Sequence, residues 1–199
     1  VAPLAAAPDE KLKRFYGAVS GESPEAAVKA RLSRLGDALV AHVAADASDG
    51  AREHADLATK LYYRLLVAFL ESEEKRLKQS SFGAPPPGTL LLPRRPPHLT
   101  PPSPPLPGQL LGNDAFHTAL YACCVEAVAA TLHTEGLEFP AVLTATSLHA
   151  FDFFKVIEPF VRHEPTLPPP LKSHFKDVED KILESLAWAD DSPLHELME

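Results

Sequence analysis

Lys155, Glu158 and Arg162 stand at i, i+3 and i+7, and Ile157 and Val161 fall on the strip beside them. Helical winding brings the three charges onto one face with aliphatic side chains alongside. A mixed strip of this kind can hold an incoming peptide. The same spacing also builds an ordinary ladder of surface ion pairs, each contributing less than about 1 kcal/mol. The neighbouring Phe151, Phe153, Phe154 and Phe160 recur at helical spacing and read as core. Phe153, which falls between the two Phe-bearing faces, is the candidate exception.

The remaining reactive side chains do not assemble into a catalytic or metal site. The nine histidines, His42, His54, His98, His117, His133, His149, His163, His174 and His195, are dispersed, with no His-Glu-x-x-His pair. Cys123 and Cys124 are adjacent, so they point to different sides of a helix, and they lie on an apolar stripe where a thiol acts as a small hydrophobe. The nine glycines are scattered, and none forms a phosphate-cradling loop before a helix. Glu73-Glu74 and Asp190-Asp191 read as solvated carboxylates at helix ends rather than acid-base pairs. The expectation is a non-enzymatic protein with no metal and no cofactor.

The elements that must position the strip are helices, because apolar residues recur every three to four positions and strand signals are weak. Ser23-Pro24-Glu25 supplies an N-cap, an N1 proline and an early acid, and Val28, Leu32, Leu35, Leu39 and Val43 form a stripe. That helix is expected over about 24 to 46, with Asp49-Gly50 as a break. Leu57, Leu61, Leu65, Phe69 and Leu77 trace a second helix with a charged, solvated far end. Asn113 caps a third, carrying Phe116, Leu120, Cys123 and Ala127; Phe139-Pro140 opens a short one; Ser147 caps the Phe-rich helix, in which Pro159 predicts a kink or early end. Leu171, Phe175, Val178, Ile182 and Leu186 define a last helix reaching Trp188. Residues 1–22 are expected to be flexible, and 83–109 to be a disordered insert, since 11 of its 27 residues are proline and it carries no acid.

A length of 199 residues suffices for a real core, and a net charge of −8 argues against direct nucleic-acid binding and against an anionic membrane surface. No run approaches 18 uncharged apolar residues, and two adjacent cysteines fit a reducing, intracellular setting. A new helix begins at Ser192-Pro193 and is cut at Glu199, so the chain is expected to be part of something longer.

Leu61-Tyr-Tyr-Arg64, Ser72-Glu-Glu-Lys-Arg-Leu77, the helix from Phe116 to Ala130, Ala150-Phe-Asp-Phe-Phe-Lys-Val-Ile-Glu158 and Glu184-Ser-Leu-Ala-Trp-Ala-Asp-Asp-Ser-Pro-Leu194 resemble, in that order, the A box of the retinoblastoma pocket proteins. The resemblance covers roughly 24–199 outside the insert and implies an all-α, cyclin-like domain over 23–199 that packs against a B box of the same protein. It implies a nuclear repressor whose paired boxes bind the activation segment of E-two-F/DP transcription factors and restrain cell-cycle entry. The matching residues are Arg76, Lys155, Ile157, Glu158, Val161, Arg162 and Glu179. Arg76, Lys155 and Arg162 would meet acids of the segment, and Ile157 and Val161 its apolar anchors. Lys176, where the family often has an acid, and Pro159 depart from the pattern and imply altered partner preference. The family's site for Leu-x-Cys-x-Glu motifs belongs to the B box. Cyclin-dependent kinases are the implied modifiers of the proline-directed sites Thr100, Ser103 and Ser192. The fold alone would also allow a cyclin-like regulatory subunit of a kinase; the Ser-Leu-Ala-Trp block favours a pocket protein.

Overall fold

The structure is a computed structural model that describes residues 8–17, 23–43, 48–81, 110–134 and 136–184. The insert expected over 83–109 with Thr100 and Ser103, and the block after Glu184 with Trp188 and Ser192, lie outside the described residues. Among the described residues there are seven helices and no strand: α1 (Glu10–Gly17), α2 (Pro24–His42), α3 (Ser48–Ser81), α4 (Asp114–Leu132), α5 (Ala141–Thr146), α6 (Ala150–His163) and α7 (Pro169–Glu184). This is the all-α, cyclin-like architecture.

The long helix α4 is the axle. Asn113 starts it by accepting the Phe116 N–H at 3.0 Å, and His133 ends it in a left-handed conformation, φ 52°, donating its backbone N–H to Ala129. Its apolar residues are not confined to one stripe: Leu120, Tyr121, Ala122, Cys123, Cys124 and Val125 are all fully buried. A helix buried on every side must be wrapped by others. α3, α5, α6 and α7 pack on α4, α2 closes over α3 and α5, and α1 lies on α2 and α3. Both cysteines are free thiols in this core, and burial pushes both well above the ordinary thiol range.

Several local expectations need correction. The N-terminal segment is not simply flexible: Asp9 caps α1 by accepting the Leu12 N–H at 2.9 Å, and Leu12, Phe15 and Tyr16 are buried. Lys11 pairs with Glu71 at 3.0 Å and Arg14 with Glu74 at 2.8 Å. The far end of α3 is thus partly covered by α1 rather than wholly solvated, and Glu73 and Glu74 lie inside α3 rather than at its end. α2 stops at His42, where Val43 turns extended, and Asp49-Gly50 falls in the first turn of α3 instead of breaking a helix. Ser23 does cap α2, accepting the Ala26 N–H at 3.5 Å.

Ser147 does not cap the Phe-rich helix. It closes α5 in a left-handed conformation, φ 51°, donating its backbone N–H to Leu143 and Thr144, and His149 takes the N-cap of α6 without a side-chain hydrogen bond. α6 also does not end at Pro159; it continues to His163, whose Nδ1 sits 2.8 Å from the Pro159 carbonyl. A mid-helix proline costs about 3 kcal/mol. Burial of Phe153, Val156, Ile157 and Phe160 against α4 offsets it.

Candidate peptide-binding strip on α6 and α7

The buried positions of α6, Phe153, Val156, Ile157 and Phe160, step i, i+3, i+4, i+7 and define its inner face. The outer face is what remains: Lys155, Glu158 and Arg162 are exposed and Val161 is half-buried. Ile157 is 1% exposed, so its expected part in receiving an apolar anchor is corrected: it belongs to the core, one helical position away from the strip. Phe153, the candidate exception, is likewise fully buried, its ring stacked 6.4 Å from Phe139.

The charges of the strip already have local partners. Lys155 Nζ lies 2.8 Å from Asp152 and 4.6 Å from the centre of the Phe151 ring; Arg162 pairs with Glu158 one turn back. The Arg162–Glu158 pair is largely solvated, so it is weak and an incoming charge can replace either partner at little cost, whereas Asp152 is mostly buried and holds Lys155 in a more sheltered pair. α7 packs against α6 through Phe160 and Phe175, whose ring centres are 5.0 Å apart. That packing brings Glu179 within the field of Glu158. Partial burial first, and then the like charges of Glu158 and Asp180, push the Glu179 carboxyl above the usual range, and Lys176 opposes them. Two acids that repel each other beside two cations form a surface suited to a ligand of mixed charge.

Lys155, Glu158, Val161, Arg162 and Glu179 are therefore gathered on adjoining helices. Arg76 stands on another element: it lies two turns beyond Phe69 on α3 and pairs with Glu73 at 3.1 Å. α3 does reach α6 at Phe69, which stacks on His163 with ring centres 4.3 Å apart. Among the described residues, clefts of roughly 250, 390 and 500 Å³ lie off the strip, the last running past Leu35, Asp114 and His149 and reaching Asp152, the partner of Lys155.

Sequence reasoning missed the polar contacts that hold the helices in place. Glu126, fully buried on α4, meets His174 of α7 at 2.6 Å. Arg64 of α3 pairs with the buried Glu164 after α6, and Thr166 donates to the same carboxylate. Tyr62 and His117 are hydrogen-bonded at 2.5 Å in the core. The available signal was Glu126 itself, a lone acid in the middle of an apolar helix, which requires a partner.

The helices and their packing define an all-helical, cyclin-like domain with a charged outer face on α6. The family model for the retinoblastoma-associated protein A domain matches residues 1–84 and 107–198. Over 138 residues the chain is 42% identical to retinoblastoma-related protein 1 of Zea mays, covering 69% of this chain and 13% of that protein. It is 41% identical to retinoblastoma-related protein 2 of Oryza sativa subsp. japonica and 38% identical to the retinoblastoma-related protein of Cocos nucifera, covering 12% and 11% of those proteins. The chain belongs to the retinoblastoma family, of which it carries the A domain. It spans only about an eighth of the length of these relatives.

Proposed function

We propose that this domain is half of a pocket that, together with a B box, binds the activation segment of an E-two-F/DP transcription factor and so represses cell-cycle genes in the nucleus, without enzymatic activity. The observation that supports this reading is the outer face of α6, where exposed Lys155, Glu158 and Arg162 flank half-buried Val161 with Glu179 of α7 alongside. The cations suit acidic residues of an activation segment, and Glu158 and Glu179 suit its donors. Ile157 shapes the strip from beneath. Arg76 extends the basic character along α3. Cyclin-dependent kinases acting at Thr100, Ser103 or Ser192 would add negative charge that competes for the same cations.

Calorimetry of an activation-segment peptide against the complete protein tests the reading. Glu158→Ala and Arg162→Ala are each expected to weaken binding about tenfold or more while leaving thermal unfolding within the scatter of the measurement, because their mutual pair is solvated. Unchanged affinity in the double variant would refute the assignment of this face.

A further inference from the structure

The seam between α4 and α7 holds a part-buried ionisable pair, Glu126 and His174, that lies outside the candidate strip. Glu126 is fully buried, its Oε1 lies 2.6 Å from His174 Nε2, and its Oε2 is buried without a hydrogen-bond partner. The His174 side chain is 30% exposed, so it connects the buried carboxylate to water. We infer that Glu126 and His174 form a pH-sensitive clasp, in which one proton held between the two side chains keeps α7 seated on α4 and its loss to solvent loosens α7.

The surroundings explain the direction. Glu126 is faced by His174 from α7, by the Phe139 backbone N–H and the Glu138 carboxylate from the α4–α5 connection, and by the Cys123 thiol one turn earlier on α4. Cys123 in turn faces Glu179 of α7, which is itself subject to Glu158 of α6 and to Asp180 and Lys176 of its own helix. Among these groups, only His174 can bring positive charge into contact with Glu126. Burial holds the Glu126 carboxyl above the usual carboxylate range, against the opposing pull of His174. A carboxyl raised in the folded state stabilises the fold below its unfolded value, and that contribution is lost as pH rises through the folded one. When the clasp loses its proton, a buried carboxylate is left next to Glu138 without a cation. α7 is otherwise seated by Phe175, Val178 and Ile182, with most of its remaining side chains exposed.

Hydrogen–deuterium exchange of the complete protein tests this, and needs no binding partner, so it stands or falls apart from the proposed function. Protection factors remove the intrinsic base catalysis of exchange. Those of segment 169–184 are expected to fall severalfold as pH rises from mildly acid to mildly alkaline, while those of segment 24–42 hold. Glu126→Gln keeps the shape and removes the charge, so its 169–184 protection is expected to be independent of pH. A flat wild-type profile, or the same fall in the variant, would overturn the inference. Should the variant lose protection in 24–42 as well, the wild-type profile alone decides.

Discussion

At the scale of single residues, the core is specified by a few polar contacts as much as by apolar packing. His117 sits inside α4, accepts the Tyr62 hydroxyl at Nδ1 and donates from Nε2 to the Leu111 carbonyl at 2.9 Å. Burial depresses its pKa to about 4, with the nearby Arg31 guanidinium adding to the effect and the Leu111 hydrogen bond opposing it, so near neutral pH the ring is uncharged with its proton on Nε2. In the unfolded chain the same ring titrates near its ordinary value, so between about pH 6.5 and pH 4 the unfolded state binds the extra proton. Stability from this group is complete above that window and lost as pH falls through it, by on the order of 3 kcal/mol. Urea unfolding between about pH 7 and pH 4 is expected to show a steeper loss for the wild type than for His117→Asn, and equal slopes would contradict the assignment. None of this was legible in the sequence, where a histidine on an apolar stripe looks like any other of the nine.

At the scale of the element, caps and stripes were readable wherever the signal was local. Ser23, Asn113 and the Val28 to Leu39 stripe are where their types and spacing put them. Ser147 was misread, and of the two outcomes expected at Pro159 the early end does not occur, because tertiary packing overrode local preference: the left-handed close of α5 uses a serine, and the buried face of α6 carries the helix through a proline. α1 was missed because its eight residues are too few to show a period, although Leu12, Phe15 and Tyr16 bury one face. Leu12→Ala is expected to cost about 2–5 kcal/mol in denaturant unfolding, whereas Lys11→Ala, which removes only an exposed pair with Glu71, is expected to change little. α2 and α3 offer the opposite case. A Cβ added at Gly36 would meet Tyr121 Oη at 3.6 Å and the Ala55 Cβ at 3.8 Å, which is ordinary contact. Gly36→Ala should therefore gain the helix propensity that glycine lacks, about 0.5–1 kcal/mol; a loss of stability would show that the two helices approach more closely than these distances allow.

At the scale of the whole molecule, the order of helices was legible but their closure was not, because closure depends on contacts between residues far apart in sequence. The candidate strip shows the same division. Spacing alone put Lys155, Glu158 and Arg162 on one face, but only packing on α4 separates Val161 from the buried Ile157, and packing of α7 on α6 sets Glu179 near Glu158. Arg64 and Glu164 close the domain by tying α3 to the turn between α6 and α7. Their burial is unequal: the Glu164 side chain is 5% exposed and that of Arg64 is 35% exposed. Removing the arginine leaves a carboxylate in the interior with only Thr166 donating to it, while removing the acid leaves a guanidinium that can turn toward water. Arg64→Met is accordingly expected to destabilise the domain more than Glu164→Gln, by about 2 kcal/mol, once the full 3–5 kcal/mol of a wholly buried pair is reduced for solvent screening at Arg64. The double variant should recover part of the loss, since the stranded charge is then gone. Chemical unfolding of the four proteins in one cycle measures both terms, and a larger cost for Glu164→Gln than for Arg64→Met would show that the arginine, not the carboxylate, is the buried partner in solution.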